Sequence, residues 1–217
     1  MKANELAFFG KIAAGVTHEL KNVLAIINES NGLMADVLGM QKDAPSAYRE
    51  KFDRSIKKIE EQVRRGTEIT SRFNRFAHSM DYPLADSDLN TIVTQTVALA
   101  QRFAALQNVE LKGAVCNCPI MLFINAFRVQ MALTRAIEAF IRCMSGSGSI
   151  LMTVREGPGS AGLDFYFEGE SCGKVNSGAL EEFTEWQDFE ELASILDIHY
   201  QWLPSDGSFA LFFSGKV

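Results

Sequence analysis

The sequence lacks the features that would tie a chain to a membrane, a metal ion or a nucleic acid. None of its apolar runs is long enough to span a bilayer, and no basic segment followed by an apolar one marks a signal peptide at the N-terminus. Its four cysteines have no zinc-like or redox-like spacing, which favours ordinary thiols in a reduced, cytoplasmic protein. A net charge of −6 argues against nucleic acid as the main partner.

The sequence does contain enough apolar material for a core. Hydrophobic residues make up 47% of the 217 positions, a length that suits one large or two small domains. A polar cluster that includes Pro83, over residues 81–88, interrupts the helical pattern, and the sequence after it becomes mixed helix and strand. We therefore predict two domains, residues 1–80 and residues 86–217, in an α+β fold.

Two long helices are predicted in the first domain. Apolar residues recur every three or four positions from about Asn4 to about Met40, as they do on one face of a helix. Asp43 can cap a second helix, whose first turn tolerates Pro45, and the charges on the other faces of that helix are interpreted as solvated. The apolar stripe of the first helix is Leu6, Phe9, Ile12, Val16, Leu20, Val23 and Ile27, and that of the second is Phe52, Ile56, Ile59, Val63, Ile69, Phe73 and Phe76.

The two helices are joined by a short turn, which predicts an antiparallel hairpin. A single hairpin cannot cover two full apolar stripes. Two hairpins packed into a four-helix bundle can bury both stripes, and this predicts a homodimer. The alternative is that the stripes pack against the rest of the same chain.

His18 lies off the apolar stripe of the first helix. Its neighbours on the same helix face are Ala14, Gly15, Lys21 and Asn22. The small residues leave room for a partner, and a glycine inside a helix costs roughly 1 kcal/mol relative to alanine, so Gly15 is expected to serve packing or access. A lone His on a polar helix face is usually a solvated side chain, and periodicity alone assigns it no function.

The second domain is predicted to contain both strands and helices. Alternating or wholly apolar short runs predict the strands, and apolar residues three or four apart predict the helices. Asn90 is a candidate cap for the first helix. The predicted strands cover residues 109–112, 120–123, 150–155, 163–167, 199–203 and 209–213, and the later helices cover residues 125–144 and 189–196.

Two parts of the sequence resemble bacterial sensor histidine kinases. Residues 18–22, His-Glu-Leu-Lys-Asn after a small and apolar turn, resemble the H-box, in which the His accepts a phosphoryl group on a dimeric helical hairpin. The order of elements in the second domain resembles the ATP-binding domain of these kinases, a mixed sheet with helices packed on one face. The resemblance covers nearly the whole chain.

Three ATP-handling motifs of that family are missing at the matching positions. Arg135 and Ala139 replace the two asparagines of the kinase N-L-L-x-N-A segment, and an alanine cannot ligate a metal ion. Glu138 faces a different side of the helix. Residues 168–172 replace the D-x-G-x-G loop, and the acidic residues 178–191 replace the glycine-rich lid and would repel a triphosphate. We therefore expect a degenerate ATPase-like α/β sandwich that binds no ATP.

A kinase-like hairpin on such a domain resembles the histidine phosphotransferases of phosphorelays, which pass phosphoryl groups between a His and the Asp of receiver domains. The resemblance implies that His18 is the phosphoacceptor and that Glu19 orients its imidazole and takes its proton. It also implies that the chain needs no cofactor, since the receiver domain supplies magnesium. The residues expected to contact the receiver are Ala14, Gly15, Lys21 and Ala25, with Lys21 steering toward its acidic pocket.

Other functions fit the same residues. In the kinase family an E-x-x-N segment directly after the His positions the water that hydrolyses receiver aspartyl phosphate, and Glu19 and Asn22 have that spacing. A phosphatase of a phosphorylated response regulator is therefore the first alternative. A non-catalytic dimeric adaptor or kinase inhibitor, which would not need His18, is the second. A kinase that binds ATP in an unfamiliar way is the last.

Overall fold

The structure is a computed structural model that describes residues 2–39, 45–144, 146–157, 160–169, 175–203 and 207–213. The chain divides between Ala77 and His78 into two compact units, which we call the hairpin unit and the mixed unit. Within these described ranges, no helix has both the length and the apolar character needed to cross a membrane. The α+β class expected from the sequence is confirmed, whereas the pairing of two hairpins stays a prediction.

The hairpin unit consists of helix α1 (Lys2–Gly39) and helix α2 (Pro45–His78). Both helices are where the apolar spacing predicts them, although the predicted boundary residues Met40 and Asp43 lie outside the described residues. The two helices run antiparallel, because Phe8 near the start of α1 contacts Phe76 near the end of α2, with ring centroids 5.7 Å apart.

The seam between the helices is narrower than the predicted stripes. Phe8 is buried in it, although the predicted stripe passed over this residue in favour of Leu6, which is exposed. On α2, Ile56 and Val63 are exposed as well. A contact between two helices covers only the side chains that point at the partner, so the flanking apolar positions stay open in a single hairpin.

The mixed unit contains seven strands and four helices within the described residues. The strands are β1 (Ala85–Asp88), β2 (Val109–Ala114), β3 (Met121–Ile124), β4 (Gly148–Gly157), β5 (Ser160–Gly169), β6 (Ile198–Leu203) and β7 (Ser208–Phe213). The helices are α3 (Leu89–Leu106), α4 (Ala126–Met144), the single turn α5 (Ser177–Leu180) and α6 (Thr184–Ile195).

The strands form a five-stranded sheet and a separate two-stranded sheet. The order in the larger sheet is β2-β4-β5-β7-β6, in which β2 and β4 are parallel and the other pairs are antiparallel. This is the mixed sheet that the sequence led us to expect. The smaller sheet pairs β1 with β3 in antiparallel fashion.

Helices α3, α4 and α6 pack next to one another and contact strands of the larger sheet. Aromatic side chains fill the space between this layer and the sheet. Phe140 of α4 is fully buried, and its ring lies 5.3 Å from both Phe165 and Phe209 and 5.9 Å from Trp186. Aromatic groups bury large areas each, so this cluster is the main apolar core of the mixed unit.

Three details of the mixed unit differ from the sequence prediction. Ala85–Asp88 forms a strand rather than part of a linker. The cap of α3 is Asp88 and not Asn90, whose amide instead binds the backbone of Cys116 and Cys118. Strand β3, which was predicted as buried over residues 120–123, is covered on one face only, so that Leu122 is buried and Phe123 is exposed.

Candidate functional site

His18 lies in the first half of α1 with its side chain exposed. A helix turns about 100° per residue, so the other predicted contact residues lie within roughly 60° of His18 around the axis. Four of these residues are exposed, namely Ala14, Lys21, Asn22 and Ala25, and Gly15 is half-buried. The helix therefore presents the imidazole on a face whose nearest neighbours are mostly small.

One hydrogen bond orients the imidazole. The side-chain amide of Asn22 lies one turn further along α1, and its Nδ2 is 3.4 Å from Nδ1 of His18. With the amide in this orientation Nδ1 accepts, and the proton of the neutral ring sits on Nε2. Rotating the amide by 180° brings its Oδ1 to the ring, which suits a proton on Nδ1 and leaves the Nε2 lone pair free. Asn22 can thus pair with either tautomer.

Glu19 follows His18 directly, and its expected role in orienting the ring stays a prediction. It is half-buried and lies about 100° around the helix from His18. In the described part of the chain it forms no hydrogen bond with the imidazole, whereas Asn22 does. Its expected role in taking up a proton stays a prediction.

Two grooves between α1 and α2 define two sides of the hairpin unit. One groove, about 600 Å³ in volume, is lined mainly by apolar and small residues, among them Leu20, Leu24, Ile27, Val63, Gly66 and Thr70. The other, about 470 Å³, is lined by charged residues and by two buried serines, among them Glu29, Ser30, Asp36, Lys51, Ser55 and Lys58.

His18 belongs to the side of the charged groove. Glu29 and Asp36 lie within roughly 20° of His18 around α1, whereas Ile27 lies roughly opposite to it. We call these the His18 side and the apolar side of the hairpin unit. The sequence predicted that His18 is off the apolar stripe, but it did not predict which residues of α2 share its side.

In the mixed unit, Ala139 is fully buried on α4. The neighbouring side chains at this position are tied to one another. The guanidinium of Arg135 donates from Nη1 to Glu138 Oε2 at 3.2 Å, and its Nε forms an ion pair at 3.3 Å with Asp188 of α6. Position 139 thus holds a buried methyl group, and the arginine at position 135 is engaged by two carboxylates.

A second ion pair joins the same two helices. Arg142 lies two turns beyond Arg135 on α4, and it donates to both carboxylate oxygens of Glu185 at 2.6 and 2.8 Å. Burial raises the pKa of Glu185, but hydrogen bonds from its own backbone N–H and from Arg142 outweigh burial, and the pKa lies below its ordinary value. The ion pairs of Arg135 with Asp188 and of Arg142 with Glu185 hold α6 against α4 in antiparallel orientation.

No group of three or more His, Cys, Asp or Glu side chains suitable for a metal ion occurs among the residues that the structure describes. The two other histidines differ from His18. His78 is bound through Nδ1 to Asp81 at 2.7 Å, and His199 lies 3.7 Å from Asp197. Neither is followed by a Glu-x-x-Asn segment.

No protein-family model matches the chain, and no curated protein matches it either. Among solved structures it is similar to the Acinetobacter baumannii histidine kinase AdeS, with 12% identity over 91% of this chain and 98% of that chain and a TM-score of 0.45. It is also similar to the histidine kinase ThkA in complex with response regulator protein TrrA, with 14% identity over 98% of this chain and 63% of that chain and a TM-score of 0.48. A mycobacterial sensor histidine kinase, MprB, matches with 9% identity over 61% of this chain and 98% of that chain and a TM-score of 0.45. These neighbours are histidine kinases, and at such identities a likeness concerns architecture alone.

Charged residues of α2 share the side of His18, which the apolar pattern of either helix does not indicate. Lys51, Lys58, Arg65 and Arg72 are spaced seven apart on α2. Two of the four, Lys51 and Lys58, line the groove on the His18 side, and a spacing of seven returns to nearly the same helix face. The seven-residue spacing was the available signal, but only the contact with α1 relates it to His18.

Proposed function

We propose that this protein is a phosphorelay histidine phosphotransferase in which His18 exchanges a phosphoryl group with the aspartate of receiver domains. The observation that carries the proposal is the exposed imidazole whose Nδ1 is held by Asn22 on a face of small residues. Within the described residues Nε2 of His18 makes no hydrogen bond, so this nitrogen is open to a partner. The H-box resemblance of residues 18–22 supports the same assignment.

The transfer step uses the tautomer of His18 that carries its proton on Nδ1. The Nε2 lone pair attacks the phosphorus of the receiver's aspartyl phosphate, the P–O bond to the aspartate breaks, and its electron pair leaves with the carboxylate. The proton of the ring is then on Nδ1, where the Oδ1 of a rotated Asn22 amide accepts its hydrogen bond. Return of the phosphoryl group to another aspartate reverses these steps. Magnesium reaches the reaction with the receiver, and this chain contributes the nucleophile and its orientation.

Features of the mixed unit support transfer without ATP. Ala139 has no oxygen for a metal ion and is fully buried. Arg135 is engaged by Glu138 and Asp188, so the corresponding surface of α4 is occupied by the protein's own ion pairs. Trp186 packs against Phe140 at the same helix interface. The mixed unit is thereby proposed to serve as a scaffold.

The apolar side of the hairpin unit supports a homodimer. Leu24 and Val63 are 64% and 53% exposed, and both line the apolar groove. Packing this side against the same side of a second hairpin forms a four-helix bundle and removes the apolar surface from water. Each His18 then remains on an outer side of the bundle, where a receiver domain can reach it.

The function is tested with a panel of phosphorylated receiver domains from the same cell. We expect radiolabel to pass from a receiver to this chain as an acid-labile phosphoramidate and then to a second receiver. His18→Ala should abolish the labelling with little effect on stability, because exposed substitutions usually change stability by less than about 0.5 kcal/mol. His78→Ala and His199→Ala are the matched controls and should label normally. Label on either of them in place of His18 would contradict the proposal.

A receiver phosphatase is the second candidate, and the placement of Asn22 favours it. Its amide lies beside the His18 ring on the exposed face, where it can also orient a water molecule. Two substitutions distinguish the phosphatase from the phosphotransferase. A phosphatase retains activity in His18→Ala and loses it in Asn22→Ala, whereas a phosphotransferase loses label transfer in His18→Ala. An adaptor binds the receiver unchanged in both variants.

A further inference from the structure

Charge is divided unequally between the two units. Residues 1–77 contain 13 Lys and Arg against 10 Asp and Glu, whereas residues 78–217 contain 8 against 17. The hairpin unit is therefore basic although the whole chain is acidic. A basic surface in an acidic protein attracts acidic partners locally, because screening limits the reach of other charges to about 10 Å at 0.1 M salt.

Four of the nine Lys and Arg residues in the α2 sequence recur at seven-residue spacing on the His18 side. We call Lys51, Lys58, Arg65 and Arg72 the basic stripe. Arg72 is paired with Glu68 one turn away, and the carboxylates of Glu29 and Asp36 line the groove beside the Lys51 end. Lys58 and Arg65 are both exposed and form no ion pair among the described residues, so the two central members of the stripe are unpaired, and Arg65 is the one nearer to His18.

The centre of the stripe lies at the level of His18. Phe9 of α1 contacts Phe73 of α2, and a Cβ added at Gly66 would lie 3.2 Å from Cγ1 of Val23. Interpolation between these contacts places His18 opposite roughly residue 69 of α2. Arg65 and Arg72 then flank His18 along the hairpin, each roughly one helical turn away.

We propose that the basic stripe, with Arg65 as its main contact, is a docking surface for the acidic face of the receiver domain that exchanges phosphate with His18. This inference rests on the proposed function and assigns part of its partner contact to α2. The receiver carries its aspartate in an acidic, magnesium-binding pocket, so the surface around the reacting atoms is negative. The stripe lies beside His18 on the same side of the hairpin, so an acidic surface reaching His18 also meets Arg65.

Charge reversal at adjacent positions tests the docking surface. Arg64 and Arg65 are both exposed, each has a glutamate four residues earlier, and Arg64 points about 100° away around α2. The association rate with the receiver that labels His18 fastest is measured by stopped flow at low and high salt, and the labelling rate is measured separately at saturating receiver. We expect Arg65→Glu to slow association roughly tenfold at about 0.01 M salt and Arg64→Glu to change it much less.

The remaining outcomes distinguish this inference from the function on which it rests. At about 1 M salt the two variants should associate like the wild type, because screening then acts within about 3 Å. The labelling rate at saturating receiver should be unchanged in the control Arg64→Glu. Equal slowing by both variants would show an effect of net charge alone and would overturn the docking surface while leaving phosphotransfer intact. A slower labelling rate with normal association would overturn it as well. Absence of any label on wild-type His18 would instead refute the proposed function.

Discussion

Asp88 organises the start of the mixed unit through a single carboxylate. Its oxygens accept from the backbone N–H groups of Asn90 and Thr91 and from the Thr91 hydroxyl, which caps α3. They also accept from the backbone N–H of Ile120 at 2.9 Å, which ties the loop before β3 to the same point. Partial burial raises the pKa of Asp88, but these hydrogen bonds outweigh it, and the net pKa is lowered.

We predict that Asp88→Ala lowers the free energy of unfolding of the mixed unit by about 1–2 kcal/mol at pH 7, the usual cost of losing a helix cap. The folded-state pKa of Asp88 lies below its unfolded value of about 3.9, so its stabilisation is complete above that pH and is lost as pH falls through the folded-state pKa. The difference between wild type and variant should therefore shrink below about pH 4. Urea unfolding followed by tryptophan fluorescence measures it, since both tryptophans lie in the mixed unit.

Asp86→Ala is the matched control for this measurement. Asp86 lies two residues earlier on β1 and is exposed, so its loss should change stability by less than about 0.5 kcal/mol. If both variants lose the same stability, or if the loss in Asp88→Ala is independent of pH, the capping role of Asp88 is wrong.

At the scale of elements, the two helices of the hairpin unit have more apolar surface than they cover. The buried seam contains Phe8, Ile12 and Val23 on α1 and Ile69 and Phe76 on α2. These side chains point at the partner helix, whereas Leu24 and Val63 point into the open apolar groove. The hairpin alone is therefore an incomplete bundle, which is the physical basis of the proposed dimer.

We predict that Leu24→Glu converts the dimer into a monomer at micromolar concentration, because each dimer would bury two unpaired carboxylates. The helices should remain, since Leu24 is exposed within one hairpin. Leu33→Glu is the control on the same helix. Leu33 is 51% exposed but lines the groove on the His18 side, so this variant should stay dimeric. Size-exclusion chromatography with light scattering and circular dichroism measures both properties, and a monomeric wild type would refute the four-helix bundle.

At the scale of the whole molecule, the chain combines an accessible His with a second unit whose ion pairs join its own helices. We predict that ATP with magnesium does not raise the melting temperature measurably. A ligand present at 100 times its dissociation constant would add about 2.7 kcal/mol, which a thermal shift detects easily. Magnesium alone is the control. A clear shift with millimolar ATP would revive the kinase interpretation and contradict the role given to Ala139.

Periodicity in the sequence was sufficient to predict the two long helices and to place His18 off their apolar stripe. The 3.6-residue repeat is a local property, so the chain itself carries this information. Alternation likewise predicted the hairpin of β4 and β5 and that of β6 and β7, which the observed pairing confirms. That positions 135 and 139 hold Arg135 and Ala139, and no asparagine, was also readable directly.

Only the tertiary structure decided which distant residues meet. Three interactions join segments that are far apart in the sequence. They are the hydrogen bond from Ile120 to Asp88, the ion pair of Arg135 with Asp188, and the pairing of the strand Ala85–Asp88 with β3. Whether Arg65 lies on the same side of the hairpin as His18 depends on how α2 is rotated about its own axis against α1. That rotation is determined by which side chains pack into the seam, and periodicity within one helix contains no information about the other.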